Sequence, residues 1–250
     1  MTITSPDNEK LKAIRKLARR RDRALSGRFV AEGEDLLAAA DAAGWPALER
    51  YCAAGSGLAG VEVEPELLAA VSQLGSGTRA LGVFEQRWVD APAGPLCVAL
   101  HGISDPGNVG TILRSALAFG ASSVALGPDC ADPYGPKAVR ASMGALFAVP
   151  LARYGSVEEL PGTIVALDAH ADEPLAALAG EDGPAAGGQP LTLLVGAERA
   201  GLPDDVLAAA DRVVRIPIAS ESLNAAMAAT VALYEVTRGT VATERRMPTP

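Results

Sequence analysis

The sequence predicts an α/β protein in two parts, a mostly parallel sheet covered on both faces preceded by a smaller α/β domain. Three observations predict it. Short β-branched or apolar runs alternate with Ala-rich, helix-favouring segments along most of the 250 residues. A Pro/Gly-rich linker from Asp90 to Pro95 divides this alternation, giving domains at 1–90 and 95–250. In the second part, three apolar runs each lead through a glycine- or serine-containing turn into a helix-like segment.

In chain order, Ile3 to Lys10 reads as a turn leading into a basic amphipathic helix that reaches Arg23, with Leu11, Ile14, Leu17 and Ala18 on its apolar side. A strand follows in Gly27–Gly33, then a helix at Glu34–Ala43 closed by Gly44. Leu48–Ala53, Gly60–Val63 and Leu81–Phe84 are further strands, and Pro65–Leu74 a helix with proline in its first turn. Beyond the linker, strands are expected at Leu96–His101, Ser123–Leu126, Ala148–Leu151, Ile164–Leu167, Leu191–Val195 and Arg212–Ile218. Helices are expected at Val109–Phe119, Lys137–Ser142, Val157–Leu160, Pro203–Ala209 and Ser222–Thr237. The stretch Ala169–Gln189 is long, acidic and rich in Ala, Gly and Pro, which suits a surface loop with one short helix at Leu175–Ala179.

Composition narrows the function classes. Charged residues make up 21% and aromatics 4%, which suits a folded α/β chain and not a disordered one. No apolar run approaches the ~20 residues that span a bilayer, and the polar first residues lack a signal core, so no membrane role and a cytoplasmic location are expected. Cys52, Cys97 and Cys130 are widely spaced and lack any Cys-x-x-Cys or Cys/His cluster, an argument against a disulfide framework and against a metal site. His101 and His170 have no Ser, Cys or Asp partner at a recognisable spacing, which argues against a hydrolase triad. Gly107 and Gly110 do not make the dinucleotide fingerprint.

A net charge of −8 counts against a nucleic-acid partner at first, yet distribution matters more than the sum. Between Lys10 and Arg23, the cations Lys10, Lys12, Arg15, Lys16, Arg19, Arg20, Arg21 and Arg23 face one acid, Asp22. Such a run reads either as a solvated helix face or as a phosphate-binding patch.

The three strand-turn-helix segments carry the chemistry. The first holds Asn108, Gly110 and Arg114, the second Gly196, Glu198 and Gly201, and the third Pro217, Ser222, Leu223 and Asn224. Each also has a plain reading: a turn-forming Asn108, a surface salt bridge for Glu198, and a helix cap from Ser222. In order and spacing they resemble the three motifs of the SpoU (TrmH-like) RNA 2′-O-ribose methyltransferases of the SPOUT class, over roughly residues 95–238. The interval Ile218–Glu221 is shorter than is usual in the third motif, and Ala225–Met227 replaces a more usual β-branched run. The first domain, through Ser5-Pro6 and Phe29–Gly33, more loosely resembles the L30e-like domain often placed before a SpoU domain.

The resemblance implies a trefoil-knotted catalytic domain, S-adenosylmethionine as cofactor, and methyl transfer to a ribose 2′-hydroxyl of structured RNA. Ribosomal RNA is the expected substrate; transfer RNA, or RNA binding without catalysis, is the alternative. It implies Arg114, Asn108, Glu198, Ser222 and Asn224 as catalytic residues and Val195, Gly196, Ile216, Ile218 and Leu223 as cofactor-binding residues. Glu198 would pair with Arg199, Arg114 or an RNA-bound water, and Gly196 would allow the cofactor's close approach. In that context Lys10, Lys12, Arg15, Arg19, Arg20 and Arg23 become RNA-binding residues, and a homodimer paired through the Ala-rich helix Leu223–Val236 is expected.

Overall fold

A computed structural model describes residues 2–73, 77–178, 189–198, 200–220 and 222–244 and divides the chain into two compact units. The first unit contains residues up to Arg87 and also Asp132–Ala148; the second contains Trp88–Ala131 and everything from Val149 on. The segment Asp132–Ala148 thus joins the first unit, although in sequence it lies within 95–250.

In the first unit, strands β1 (Arg28–Glu32), β2 (Glu49–Ala53), β3 (Val61–Val63) and β4 (Ala80–Glu85) form one sheet in the order β1-β4-β2-β3. β4 runs antiparallel to both its neighbours, and β3 lies parallel to β2. Helices α1 (Glu9–Lys16), α2 (Arg20–Ser26), α3 (Glu34–Ala42) and α4 (Pro65–Val71) complete the unit's N-terminal part. Leu11, Ile14 and Leu17 enter a core with Tyr51, Val63, Leu68 and Leu81, so the apolar stripe of α1 is real.

The expected single helix from Lys10 to Arg23 is broken. α1 stops at Lys16, Arg19 is extended (φ −93°, ψ 132°), and α2 starts afresh at Arg20. The cause is Arg23. Its Nη1 donates to the carbonyls of Leu17 (2.8 Å) and Ala18 (2.9 Å), which a continuing helix would have bonded internally. Its Nε and Nη2 reach Asp132 Oδ2 at 2.9 and 2.7 Å. The guanidinium is therefore the buried clasp of a helix break. Asp132 opens the stretch that carries helix α6 (Pro136–Ala141) and a 3-10 turn at Ala145–Phe147. Tyr134 and Phe147 join Phe29, Trp45 and Phe84 in an aromatic cluster, with Phe29 4.8 Å from Tyr134 and 6.0 Å from Phe147 between ring centroids.

The second unit is built on a seven-stranded sheet with every neighbouring pair parallel. Its strands are β5 (Leu96–Leu100), β6 (Ser123–Leu126), β7 (Leu151–Arg153), β8 (Thr163–Leu167), β9 (Glu173–Pro174), β10 (Leu191–Val195) and β11 (Arg212–Arg215), ordered β7-β6-β5-β10-β8-β11-β9. β5, β6 and β10 are buried at every residue, as strands covered on both faces must be. Tyr154, Val157, Leu160, Leu202 and Val206 pack in one core with sheet residues Cys97, Ala99, Ala125, Ile164, Ala166 and Leu194. The helices are α5 (Pro106–Ala118), α7 (Asp204–Ala208) and α8 (Ala225–Glu244). α8 packs on α5 and β10, where Ser115 Oγ and Thr230 Oγ1 share a 2.7 Å hydrogen bond.

Among the boundaries that differ from expectation, several have backbone causes. The strand expected at Ala148–Leu151 begins at Leu151, because Pro150 has no N–H for a ladder and Ala148 ends the other unit. The strand expected to reach Ile218 ends at Arg215, two residues before Pro217. The last helix starts at Ala225, not Ser222, because its cap is Asn224: Oδ1 accepts from the N–H of Ala226 (3.0 Å) and Met227 (3.3 Å). Within Ala169–Gln189, expected as a surface loop, Glu173–Pro174 is instead the strand β9 and Leu175–Leu178 a 3-10 turn, while 179–188 lie outside the described residues. No helix among the described residues is long and apolar enough to cross a membrane.

Candidate active site

In a parallel sheet the loops that leave the carboxyl ends of adjacent strands converge on one edge, and that edge is where ligands bind. Here the first motif leaves β5, the second leaves β10 and the third leaves β11, with β8 lying between β10 and β11.

Each turn has its own local cause. The first is set by Asp105, whose Oδ1 accepts from Gly107 N at 2.5 Å, and by Pro106 at the first position of α5. Gly102, with φ +68°, hands the chain out of β5. The second closes on itself: Gly201, with φ +65°, donates its N–H to Ala197 O at 2.9 Å. A side chain on Gly196 would sit 2.7 Å from the Gly201 carbonyl and 2.8 Å from Leu202 Cγ. The requirement for glycine at 196 is therefore already set by the turn, before any ligand is considered. The third turn ends in the Asn224 cap.

Asn108, Glu198 and Asn224 bind one another. Asn108 Nδ2 donates to Glu198 Oε1 at 2.6 Å, Asn224 Nδ2 donates to Asn108 Oδ1 at 3.0 Å and also to Glu198 Oε1, and Ala225 N reaches Glu198 Oε1 at 3.4 Å. A single carboxylate oxygen thus ties all three turns. Of the three partners expected for Glu198, Arg114 makes no contact with it among the described residues, and Arg199 lies outside them. Arg114 is exposed on the outward side of α5 and has no hydrogen-bond or ion-pair partner among the described residues, which leaves its guanidinium available to an acceptor from outside.

Beside the network lies a cleft of about 230 Å³, a little under the ~300–1,000 Å³ usual for small-molecule sites, so it suits a nucleoside-sized group and not a strand of RNA. All five expected cofactor residues, Val195, Gly196, Ile216, Ile218 and Leu223, line it, together with Glu198 and Ser222. Ala197, Ala200, Ala225 and Ala228 keep it open by their small size, while the aliphatic side chains give walls suited to a flat purine. The lining also contains Leu167, Asp168, Ala169 and His170, which sequence reasoning missed. Their signal was positional: they follow a strand that lies between two motif-bearing strands, and only the strand order reveals it.

Beneath the first turn, Cys130 Sγ and Tyr154 Oη both reach the Leu100 carbonyl at 3.2 Å. Burial, more than any other influence, pushes the Cys130 thiol above its ordinary pKa and the Tyr154 phenol well above its own. His101 Nδ1 lies 3.5 Å from Tyr154 Oη.

The basic segment of the first unit is sorted by exposure. Lys16, Arg19, Arg20 and Arg21 are exposed. Lys10 pairs with Glu49 at 3.1 Å, Lys12 with Glu9 at 3.0 Å, and Arg15 Nη1 donates to Pro6 O at 3.1 Å, all near the surface and open to exchange for phosphate. Arg23 is 4% exposed and bound as described, so it leaves the set of RNA-contacting residues.

Residues 95–234 match the model of the SpoU rRNA Methylase family, and residues 8–77 match that of the MRM3-like substrate binding domain. A 23S rRNA (uridine(2479)-2′-O)-methyltransferase of Streptomyces viridochromogenes is 38% identical over 149 residues, 54% of this chain and 50% of that protein. The chain thus spans about half the length of this relative. An uncharacterized tRNA/rRNA methyltransferase of Synechocystis sp. is 31% identical across 95% of this chain and 93% of its own length. Among solved structures, an AdoMet-bound rRNA methyltransferase from Sinorhizobium meliloti superposes with a TM-score of 0.84 at 31% identity, covering 96% of this chain and 98% of that one. The SpoU methyltransferase AviRb from S. viridochromogenes with AdoMet gives 0.81 at 29% identity, covering 94% and 98%.

Proposed function

The chain belongs to the SpoU rRNA methylase family, and from that premise we propose that it methylates a ribose 2′-hydroxyl in structured RNA, with S-adenosylmethionine as methyl donor. The observation that carries the reading is the Asn108–Glu198–Asn224 network, which ties three turns beside one nucleoside-sized cleft. The cleft suits this cofactor: Val195, Ile216, Ile218 and Leu223 form apolar walls for an adenine, and the alanines leave room for its ribose. When bound, the cofactor supplies a methyl group activated on a sulfonium.

The chain's own work is then orientation and charge. A ribose hydroxyl is a weak acid and must shed its proton as the new bond forms. Arg114 is permanently protonated, which makes it a poor base and a good partner for a phosphate or for an oxygen gaining negative charge. It holds the acceptor nucleotide and stabilises the developing alkoxide, while the proton leaves to water or to a phosphate oxygen of the RNA. Asn108, Glu198 and Asn224 keep the turns, and with them the start of α5, in register with the cleft. Ser222, exposed at the cleft, contacts the incoming nucleotide.

Ribosomal RNA is the favoured substrate, because the Streptomyces viridochromogenes relative acts on 23S rRNA and the first domain matches a substrate-binding model. Lys16, Arg19, Arg20 and Arg21 provide phosphate contacts there, and a cytoplasmic place of work is part of the same proposal. A homodimer through the expected helix fits as well, though through its large apolar side chains and not its alanines. Ala225, Ala226, Ala229 and Ala232 are buried within the chain, whereas Met227, Val231 and Tyr234 on α8 and Leu117 on α5 are exposed large apolar side chains. Leu117 lies one turn from Arg114, so pairing through this patch brings Arg114 to the partner's surface. The trefoil knot is part of the same proposal.

The deciding assay supplies methyl-labelled S-adenosylmethionine with ribosomal and transfer RNA and digests the product to nucleosides. Label in a 2′-O-methylnucleoside from ribosomal RNA is expected. Label on a base, or RNA binding without transfer, would overturn the reading.

A further inference from the structure

We infer that Asp168 is the acceptor for the cofactor's ribose cis-diol, a positioning contact that rests on the cofactor reading above. Asp168 is the first residue past β8 and lines the cleft. Its backbone N–H donates to Val214 O at 3.0 Å, which fixes the residue between β10 and β11. Its Oδ1 accepts from His170 N at 2.6 Å, so the short side chain is held in one rotamer. Oδ2 lies 3.9 Å from where a Cβ on Gly201, another residue of the cleft lining, would stand, and among the described residues nothing donates to it. A half-buried carboxylate oxygen held this way selects a ligand with hydrogen-bond donors at that height.

The sheet order decides which donors those are. Asp168 stands beside the aliphatic walls that suit a purine, with β10 between it and β5. The reacting end of the cofactor must face the opposite side, where β5 leads to Asn108 and Arg114. In S-adenosylmethionine the group joined to the purine is the ribose, and the sulfonium and amino-acid tail lie beyond it. Oδ2 therefore meets the 2′- and 3′-hydroxyls, as acidic residues at strand ends do in other nucleotide folds, and it is not a counter-charge for the sulfonium.

Calorimetric titration of the full chain tests this with S-adenosylmethionine, S-adenosylhomocysteine and the 2′,3′-dideoxy form of S-adenosylhomocysteine. Asp168→Asn keeps an oxygen for His170 N and replaces the facing acceptor by a donor; Asp168→Ala removes both, and thermal melting reports whether each variant is folded. Both substitutions are expected to weaken the two natural ligands by the same factor, about 10-fold to 100-fold, and to leave the dideoxy analogue bound as by the wild type. Unchanged affinities, a loss confined to the charged S-adenosylmethionine, or an equal loss for the dideoxy analogue would each overturn the assignment. Failure of the wild type to bind any of the three would instead remove the cofactor reading itself.

Discussion

Removing the Glu198 carboxylate should cost far more in turnover than in stability. Glu198 Oε1 accepts from Asn108 Nδ2 at 2.6 Å, from Asn224 Nδ2 and, at 3.4 Å, from Ala225 N. A hydrogen bond to an ionised group contributes about 1.5–3 kcal/mol when sheltered, but Glu198 is exposed, which reduces each strong contact to about 1 kcal/mol. Glu198→Ala should therefore lower stability by about 1–3 kcal/mol, against the ~5–15 kcal/mol typical of a folded domain. The turns that it joins would then be free to drift, and a displacement of about 1 Å near a reacting centre costs about 100-fold. The expected result is a loss of about 100-fold in single-turnover methyl transfer with a cooperative melt retained, and a loss of about 10-fold for Glu198→Gln, which keeps an acceptor oxygen. A double-mutant cycle with Asn108→Ala should give a coupling of about 1–2 kcal/mol, because either substitution alone opens the same link. Additive losses, or wild-type transfer by Glu198→Ala, would refute the argument that one oxygen holds the site together.

Asp132→Ala should destabilise the protein by about 3–5 kcal/mol in urea, because it leaves the Arg23 guanidinium, 5% exposed, without its counter-charge; a shift below about 1 kcal/mol would count against the clasp. Neutralising Arg19, Arg20 and Arg21 together should lower the log-log salt slope of RNA binding by two to three phosphate contacts, each about 0.7–0.9, whereas an unchanged slope would make this segment a solvated surface. Met227→Glu with Tyr234→Glu, at positions 62% and 56% exposed, should convert the dimer to monomer in light scattering, and a monomeric wild type would contradict the proposed pairing.

Most of the fold was legible because its signals are local. The apolar runs that became β5, β6 and β10 are bounded by glycine and proline, and Leu11, Ile14 and Leu17 show helical spacing that the core of the first unit uses. What could not be read depends on contacts distant in sequence. Arg23 reads as one more cation in a basic run until Asp132, 109 residues away, is placed against it. Nothing in the order of residues announces that Asp132–Ala148 completes the aromatic cluster of the first unit. The site divides the same way. The motifs supplied Asn108, Glu198 and Asn224, but their bonding to one another joins three turns distant in sequence and was not among the partnerships expected. Asp168 was missed because it belongs to no motif; it reaches the cleft only because β8 is laid down between β10 and β11.

The proposed division of labour has Arg114 acting on the acceptor nucleotide and the cleft holding the methyl donor. It is tested most directly by measuring ribose methylation and S-adenosylmethionine affinity side by side in Arg114→Ala. Methyl transfer should fall by about 100-fold to 10,000-fold with cofactor affinity unchanged within about 2-fold, because Arg114 is not among the residues that line the cleft. Full activity in the variant, or a loss explained by weakened cofactor binding alone, would contradict it.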